Sequence, residues 1–240
     1  SVYTPEVLAN RSWERQAESL IACYNAISSQ GIVKAVDAQP FSLSAPEKLS
    51  GPDAVNRWVR YIVKMHILVT GGAGYIGSVA TRMLLDAGFQ VRVLDDLSTG
   101  HRDAVPTDAE FVQVSILDEL DQHMKGIDAV MHFAGKSLVG ESMQKPDLYW
   151  SVNRDGSENL INAMKRNGIS KLVFSSSAAT YGEPTSIPIK EDAVTLPTNV
   201  YGETKLAVDQ LLAANSQWLS SVSLRYFNVA VIRFKPQSQN

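Results

Sequence analysis

The run Thr70 to Ser78, TGGAGYIGS, stands directly behind the apolar stretch His66-Ile67-Leu68-Val69, and it limits what this chain can fold into more than any other feature. A short β-branched and leucine run that breaks into glycines, then into Ile76, Val79, Met83 and Leu84 at helical spacing, predicts a strand, a tight turn and a helix. That is half of a βαβ unit. Gly71, Gly74 and Gly77 follow the spacing G-x-x-G-x-x-G. Each suits a residue without a Cβ: a turn with unusual dihedrals, close backbone approach to a pyrophosphate, and close packing of helix on strand. The phosphates would sit on the N–H groups that open the helix. A glycine-rich turn is also often only a turn, so the neighbouring sequence has to decide.

The run Gln90-Val91-Arg92-Val93-Leu94 predicts a second strand ending in Asp95 and Asp96. These stand close to the ~20-residue offset at which a carboxylate meets the ribose hydroxyls of a dinucleotide. A carboxylate there repels a 2'-phosphate, which favours NAD over NADP, while Arg92 and Arg102 leave the phosphorylated form open. Further strands are predicted at Glu110–Val114, Asp128–Phe133, Lys171–Phe174 (running out at Ser175, Ser176 and Ser177) and Val222–Tyr226. Helices are expected near Leu117–Met124, from Pro146 through Lys165, and from Tyr201 to Ala214. The alternation makes an α/β chain with a doubly wound parallel sheet and helices on both faces. Every candidate site lies at the carboxyl end of a strand, where such sheets bind ligands.

Composition adds exclusions. The net charge is -3 from 22 basic and 25 acidic residues with no basic block, so neither nucleic acid nor a membrane surface is expected as a partner. Cys23 is the only cysteine, which excludes an internal disulfide and a cysteine-based zinc cluster and fits a reducing, cytoplasmic setting. No apolar run approaches the ~18 residues of a membrane span, and Ser1 to Glu6 lack the pattern of a signal peptide. His66, His101, His123 and His132 are scattered without metal-ligand spacing, so no metal is expected; His66 and His132 fall in predicted strands, as core or strand-end histidines do.

Residues 1–64 are of a different character. Ser12 followed by Trp13, Glu14, Ala17, Leu20, Tyr24 and Ile27 predicts a capped amphipathic helix; a polar stretch broken by Pro40 and Pro46 follows, then a second helix with Val55, Trp58, Val59 and Ile62 on one face. The first of these weakly resembles the tail helix of GT-B glycosyltransferases. The expected organisation is therefore a helical extension or appendage over 1–64, a dinucleotide-binding domain over 65–230 opening at Met65, and a tail over 231–240.

Tyr201 and Lys205 form Y-x-x-x-K at the start of a predicted helix, a spacing that puts both side chains on one face. An ammonium beside a phenol favours the phenolate and so a base that works near neutral pH. On its own the pattern is common by chance. Ser177, at the end of the preceding strand, supplies a hydroxyl able to bond the same substrate oxygen, and the three together suit alcohol oxidation by hydride transfer to a nicotinamide.

With these residues in view, Met65 to Ala230 resembles the extended short-chain dehydrogenase/reductase family, and within it the UDP-glucose 4-epimerases. The matching runs are TGGAGYIGS, LDDLSTG, HFAG, VGESMQKP, FSSSAATYGEP, YGETK and RYFN, in that order. The resemblance implies a Rossmann-like domain, NAD as cofactor, a UDP-hexose as substrate and a possible homodimer paired through a helix bundle that includes the helix of Tyr201. It implies inversion at C4 through a transient 4-keto sugar, with Tyr201 as the base, Lys205 holding the nicotinamide ribose and Ser177 bonding the 4-oxygen. Gly71, Gly74, Tyr75, Ile76 and Gly77 map to the pyrophosphate loop, and Asp95 and Asp96 to the adenine ribose. Phe133, Ala134 and Gly135 map beneath the cofactor, with Lys136 near the phosphates. Phe227 maps to the nicotinamide end and Asn228 to the nucleotide-sugar end. The related nucleotide-sugar 4,6-dehydratases carry an acidic pair where this chain has Ala178 and Ala179, which ranks that alternative lower.

The chain also departs from the pattern. Ser115, followed by Ile116, stands where the family has an aspartate that meets the adenine, and Val152 replaces a polar residue while Asn153 is kept as a cofactor contact. After Val229 and Ala230 the family continues into a smaller domain that grips the uridine diphosphate, whereas here Val231 to Asn240 follow. The expectation is a chain whose substrate domain is largely absent, one that binds NAD and turns over poorly; a truncated, non-catalytic NAD-binding module is the alternative.

Overall fold

The computed structural model describes residues 65–229. The helices expected within residues 1–64 and the tail over 231–240 lie outside the described residues. Six strands, β1 (His66–Thr70), β2 (Gln90–Asp95), β3 (Glu110–Gln113), β4 (Ala129–His132), β5 (Lys171–Ser177) and β6 (Ser220–Tyr226), pair in parallel throughout. Their order across the sheet is β3-β2-β1-β4-β5-β6. This is the doubly wound order, with the direction of winding reversing between β1 and β4. The helices are α1 (Tyr75–Asp86), α2 (Val139–Gln144), α3 (Pro146–Tyr149), α4 (Gly156–Arg166) and α5 (Val200–Ala214).

Because side chains alternate across a strand, β1 divides between two cores. Ile67 and Val69 enter one with Val91, Val93, Met131 and Val173, and Ile76, Val79 and Met83 of α1 pack against it. Leu68 enters the other with Leu94, Val130, Leu172 and Phe174, covered by Leu160, Ile161 and Met164 of α4 and by Val208 and Leu212 of α5. Central strands buried on both faces lose polar alternation, which is why they stand out as near-continuous apolar runs. Among the described residues no helix is long and apolar enough to cross a membrane.

Two local expectations differ from the structure. No α-helix forms over Leu117–Met124; that crossover carries only a 3-10 turn at Asp121–His123. Asp118 Oδ2 accepts the Ser115 N–H at 3.0 Å, Ser115 Oγ accepts the Leu117 N–H at 3.2 Å, and the Asn159 amide donates to the carbonyls of Ile116 and Asp118. These bonds satisfy the backbone in a form that competes with a helix. The long helical region begins earlier than expected, at Val139, and between α3 and α4 it widens into a π-helical turn over Trp150–Asp155. There the Ser157 hydroxyl donates to the Asn153 carbonyl.

Candidate active site

The strands deliver their carboxyl ends to one cleft of about 1180 Å³. At its floor, Gly71 has φ +71 and packs so closely on the backbone that leaves β4 that a Cβ would lie 2.5 Å from the Ala134 nitrogen; at Gly77 a Cβ would lie 2.1 Å from the Gly71 carbonyl oxygen. The fold needs both glycines. At Gly74 the nearest atom to a Cβ is 3.3 Å away, so packing within the protein leaves that position far less constrained. Its bareness suits a ligand that approaches the backbone. The following helix α1 has no side-chain cap and no acidic residue in its first turn, the setting that favours an anion.

Asp95 is buried at the end of β2 and ties two loops together, Oδ2 accepting from the Ala73 N–H at 2.9 Å and Oδ1 from the Leu97 N–H at 2.8 Å. Asp96 is exposed and accepts from the Ser98 N–H at 2.8 Å; the Lys136 ammonium lies 3.4 Å from the Ser98 hydroxyl. Neither arginine that left NADP open lines the cleft. Arg92 is paired with Glu110 at 2.8 Å and donates to the carbonyls of His123 and Lys125, while Arg102 lies over the Phe111 ring.

Across the cleft, Asn199 caps α5 by accepting the Gly202 N–H at 2.8 Å, which places Tyr201 and Lys205 along the face turned to β5. Lys205 is buried and donates to the Ser175 carbonyl at 2.9 Å, with its ammonium 4.8 Å from the Phe174 ring and 5.9 Å from the Tyr201 ring. Burial pushes this lysine down to about 8, with Asp209 one turn further along the helix opposing the shift. Burial pushes the Tyr201 phenol up, and the hydrogen bond with Ser177 opposes that. The expected phenolate draws on the Lys205 ammonium and on the positive nicotinamide ring together; in the protein by itself, loss of solvent is the larger influence on Tyr201. Ser177 Oγ accepts the Ala179 N–H at 3.1 Å, so its own proton points into the cleft, where the Tyr201 phenol oxygen is its partner in the protein by itself.

Of the residues singled out in the sequence, Gly71, Gly74, Tyr75, Ile76, Gly77, Asp95, Asp96, Ile116, Phe133, Ala134, Gly135, Lys136, Ser177, Tyr201, Lys205, Phe227 and Asn228 all line this cleft. Ser115 and Asn153 do not. The Ser115 hydroxyl is turned into its own loop by the Leu117 N–H, and Asn153 lies behind Gly135, its amide gripping the backbone of Lys136. Sequence reasoning passed over Ser98, Thr99 and Gly100, which line the cleft beside Asp96, and over the Ser175 carbonyl that holds Lys205. The first three lie inside LDDLSTG and were within reach of the motif; a backbone carbonyl has no signature in sequence.

Residues 67–239 match the family described as NAD dependent epimerase/dehydratase. The chain belongs to this family. UDP-glucose 4-epimerase of Corynebacterium glutamicum is 49% identical over 170 residues, covering 69% of this chain and 52% of that protein. The enzyme of the same name from Lacticaseibacillus casei is 51% identical over 172 residues, with 69% and 52% covered. The crystal structure of UDP-glucose 4-epimerase from Brucella ovis in complex with NAD superposes with a TM-score of 0.67 at 41% identity, covering 68% of this chain and 52% of that one. The chain spans about half the length of the curated relatives it matches.

Proposed function

We propose that this chain binds NAD in the cleft and carries the catalytic half of a UDP-hexose 4-epimerase. The observation that bears the proposal is the convergence of Ser177, Tyr201 and Lys205 on the same cleft as the glycine turn and the Asp95–Asp96 pair. The cradle suits a dinucleotide without a 2'-phosphate: a bare Gly74 and an uncapped helix start for the pyrophosphate, a carboxylate pair for the ribose, and both nearby arginines engaged elsewhere. When bound, NAD would supply the hydride acceptor and a positively charged ring beside the tyrosine.

The chain's own groups then have distinct tasks. Tyr201 takes the proton from the sugar 4-hydroxyl and later returns it; with the C4 hydrogen leaving as the hydride that bound NAD would accept and coming back to the same carbon, no net redox change would result. Ser177 donates its remaining proton to the same oxygen and orients it. Lys205, anchored on the Ser175 carbonyl, stands beneath the phenol as a fixed positive charge and offsets the effect of burial as the phenolate forms. Ala178 and Ala179 line the cleft where elimination of water would need an acid, which favours epimerisation over dehydration. Pairing of two chains through α5 belongs to the same proposal.

The test is a titration with NAD and NADP followed by a coupled assay for conversion of UDP-galactose. NAD binding with turnover that Tyr201→Phe lowers by roughly 100-fold or more, at unchanged NAD affinity, is expected. Turnover equal to wild type in Tyr201→Phe overturns the assignment of the base. NAD binding without turnover in either version leaves the chain as an NAD-binding module.

A further inference from the structure

His132 closes β4 and is 1% exposed, and both of its ring nitrogens have partners. Nδ1 lies 2.6 Å from Thr70 Oγ1 and Nε2 lies 2.8 Å from Ser157 Oγ. The direction of each bond follows from the protons available. Ser157 gives its single proton to the Asn153 carbonyl, so towards His132 it can only accept, and Nε2 carries the hydrogen. Burial holds the imidazole down at about 3, and the Lys205 ammonium on α5 adds to it. The ring is neutral, Nδ1 is bare, and the Thr70 hydroxyl donates to it.

The result is a one-way chain of buried hydrogen bonds. It starts at Thr70, the last residue of β1 before the glycine turn, and passes through His132 and Ser157 to the Asn153 carbonyl inside the π-helical turn. There it forks. Asn153 Oδ1 accepts the Lys136 N–H at 2.7 Å, and Nδ2 donates to the Lys136 carbonyl at 3.0 Å and to Thr204 Oγ1 at 3.1 Å. Thr204 donates in turn to the Tyr201 carbonyl at 2.8 Å. Asn153 Oδ1 is also close against the cleft wall, since a Cβ on Gly135 would lie 3.0 Å from it and 3.5 Å from the Lys205 ammonium. An error in the placement of Asn153 would thus reach the Gly135–Lys136 wall and the first turn of α5 together.

We infer that His132, as the neutral Nε2–H tautomer, is a positioning residue: it holds the π-helical turn at Asn153 and so sets the cofactor wall and the tyrosine helix relative to the glycine turn. The catalytic part of this inference rests on the proposed epimerase reading; the tautomer does not. Histidine ring nitrogen spectra of the full chain, with the His132 signals identified by their loss in His132→Gln, should show a neutral ring protonated at Nε2 from pH 5 to pH 8. A ring protonated at Nδ1, or a charged one, overturns the inference.

The functional arm compares His132→Leu with His132→Gln, whose amide can still donate to Ser157. The leucine variant should bind NAD about 10-fold more weakly and lose roughly 10- to 100-fold in kcat, as displacement of reacting groups does, with glutamine recovering most of both. A leucine variant that loses thermal stability alone, with NAD affinity and kcat intact, makes the residue merely structural and defeats the inference. If His132→Leu does not fold, wild-type kcat and NAD affinity in His132→Phe or an unimpaired Ser157→Ala do the same. A wild-type chain that binds NAD without turnover counts against the epimerase reading alone, because NAD affinity still decides the role of His132.

Discussion

At the scale of single residues, Lys205 shows how the site sets function against stability. Its usual value of 10.5 falls to about 8 on burial, so between these two pH values the unfolded chain holds more protons than the folded one. Stability owed to this group therefore rises with pH across that window, and its burial is a cost at neutral pH. Urea unfolding of wild type and Lys205→Met at pH 7.5 and pH 9.5 tests the sign: wild type should gain on the variant as pH rises, and a constant difference would contradict it. Asp209 works the other way, its Oδ2 held by Ser176 and by Arg225 at 3.1 and 3.0 Å. Asp209→Asn should move the onset of the window downward. The Y-x-x-x-K spacing was legible in the sequence because it is local to one helix. The direction of the Tyr201 shift was not, because it depends on how completely β5 and α5 exclude water, a tertiary fact. His132 was legible as a satisfied strand-end histidine, while its partners Thr70 and Ser157 come from two other elements and carried no signal.

At the scale of elements, β1, β4 and β5 were legible because they are buried on both faces and carry the apolar runs Ile67-Leu68-Val69, Ala129-Val130-Met131 and Leu172-Val173-Phe174, while β2 was legible from Val91, Val93 and Leu94 around the half-buried Arg92. Where backbone bonding is decided by side chains distant in sequence, legibility fails: Asn159 on α4 holds the 116–118 turn open, and Ser157 bonds into the π-helical turn. The glycine turn allows a sharp separation of folding from binding within one element. Gly77→Ala places a methyl 2.1 Å from the Gly71 carbonyl and should destabilise the chain by about 1–3 kcal/mol, as overpacking does. Gly74→Ala meets a 3.3 Å contact with the Gly71 carbonyl, which a shift of a few tenths of an ångström relieves, at an ordinary φ of -81, so the fold should lose far less than in Gly77→Ala, while NAD affinity drops about 10-fold or more because the methyl would enter the pyrophosphate's approach. Chemical denaturation and NAD titration of both variants give the comparison. Equal loss of affinity in proportion to lost stability in the two would show that the second glycine has no role of its own.

At the scale of the whole molecule, the cleft lies over the point where the winding reverses, with the glycine turn and Asp95 on one side and Ser177, Tyr201 and Lys205 on the other. That order follows from right-handed crossovers between parallel strands once the alternation of strand and helix is known. A dinucleotide spanning the cleft contacts both halves of the sheet and neither half alone, so binding should stabilise the described domain as one cooperative unit. At 100 times the dissociation constant, a ligand that binds only the folded state adds about 2.7 kcal/mol, which for a domain of this size raises the melting temperature by roughly 5–10 °C. NADP at the same concentration should shift it far less, since Asp95 and Asp96 disfavour the extra phosphate and Arg92 and Arg102 are held away from it. Differential scanning calorimetry with each nucleotide is the measurement. A single transition moving upward with NAD is expected; two transitions, only one of which responds, would mean that the cofactor sits on one half of the sheet and that the assignment of Tyr201 and Lys205 to its nicotinamide end is wrong.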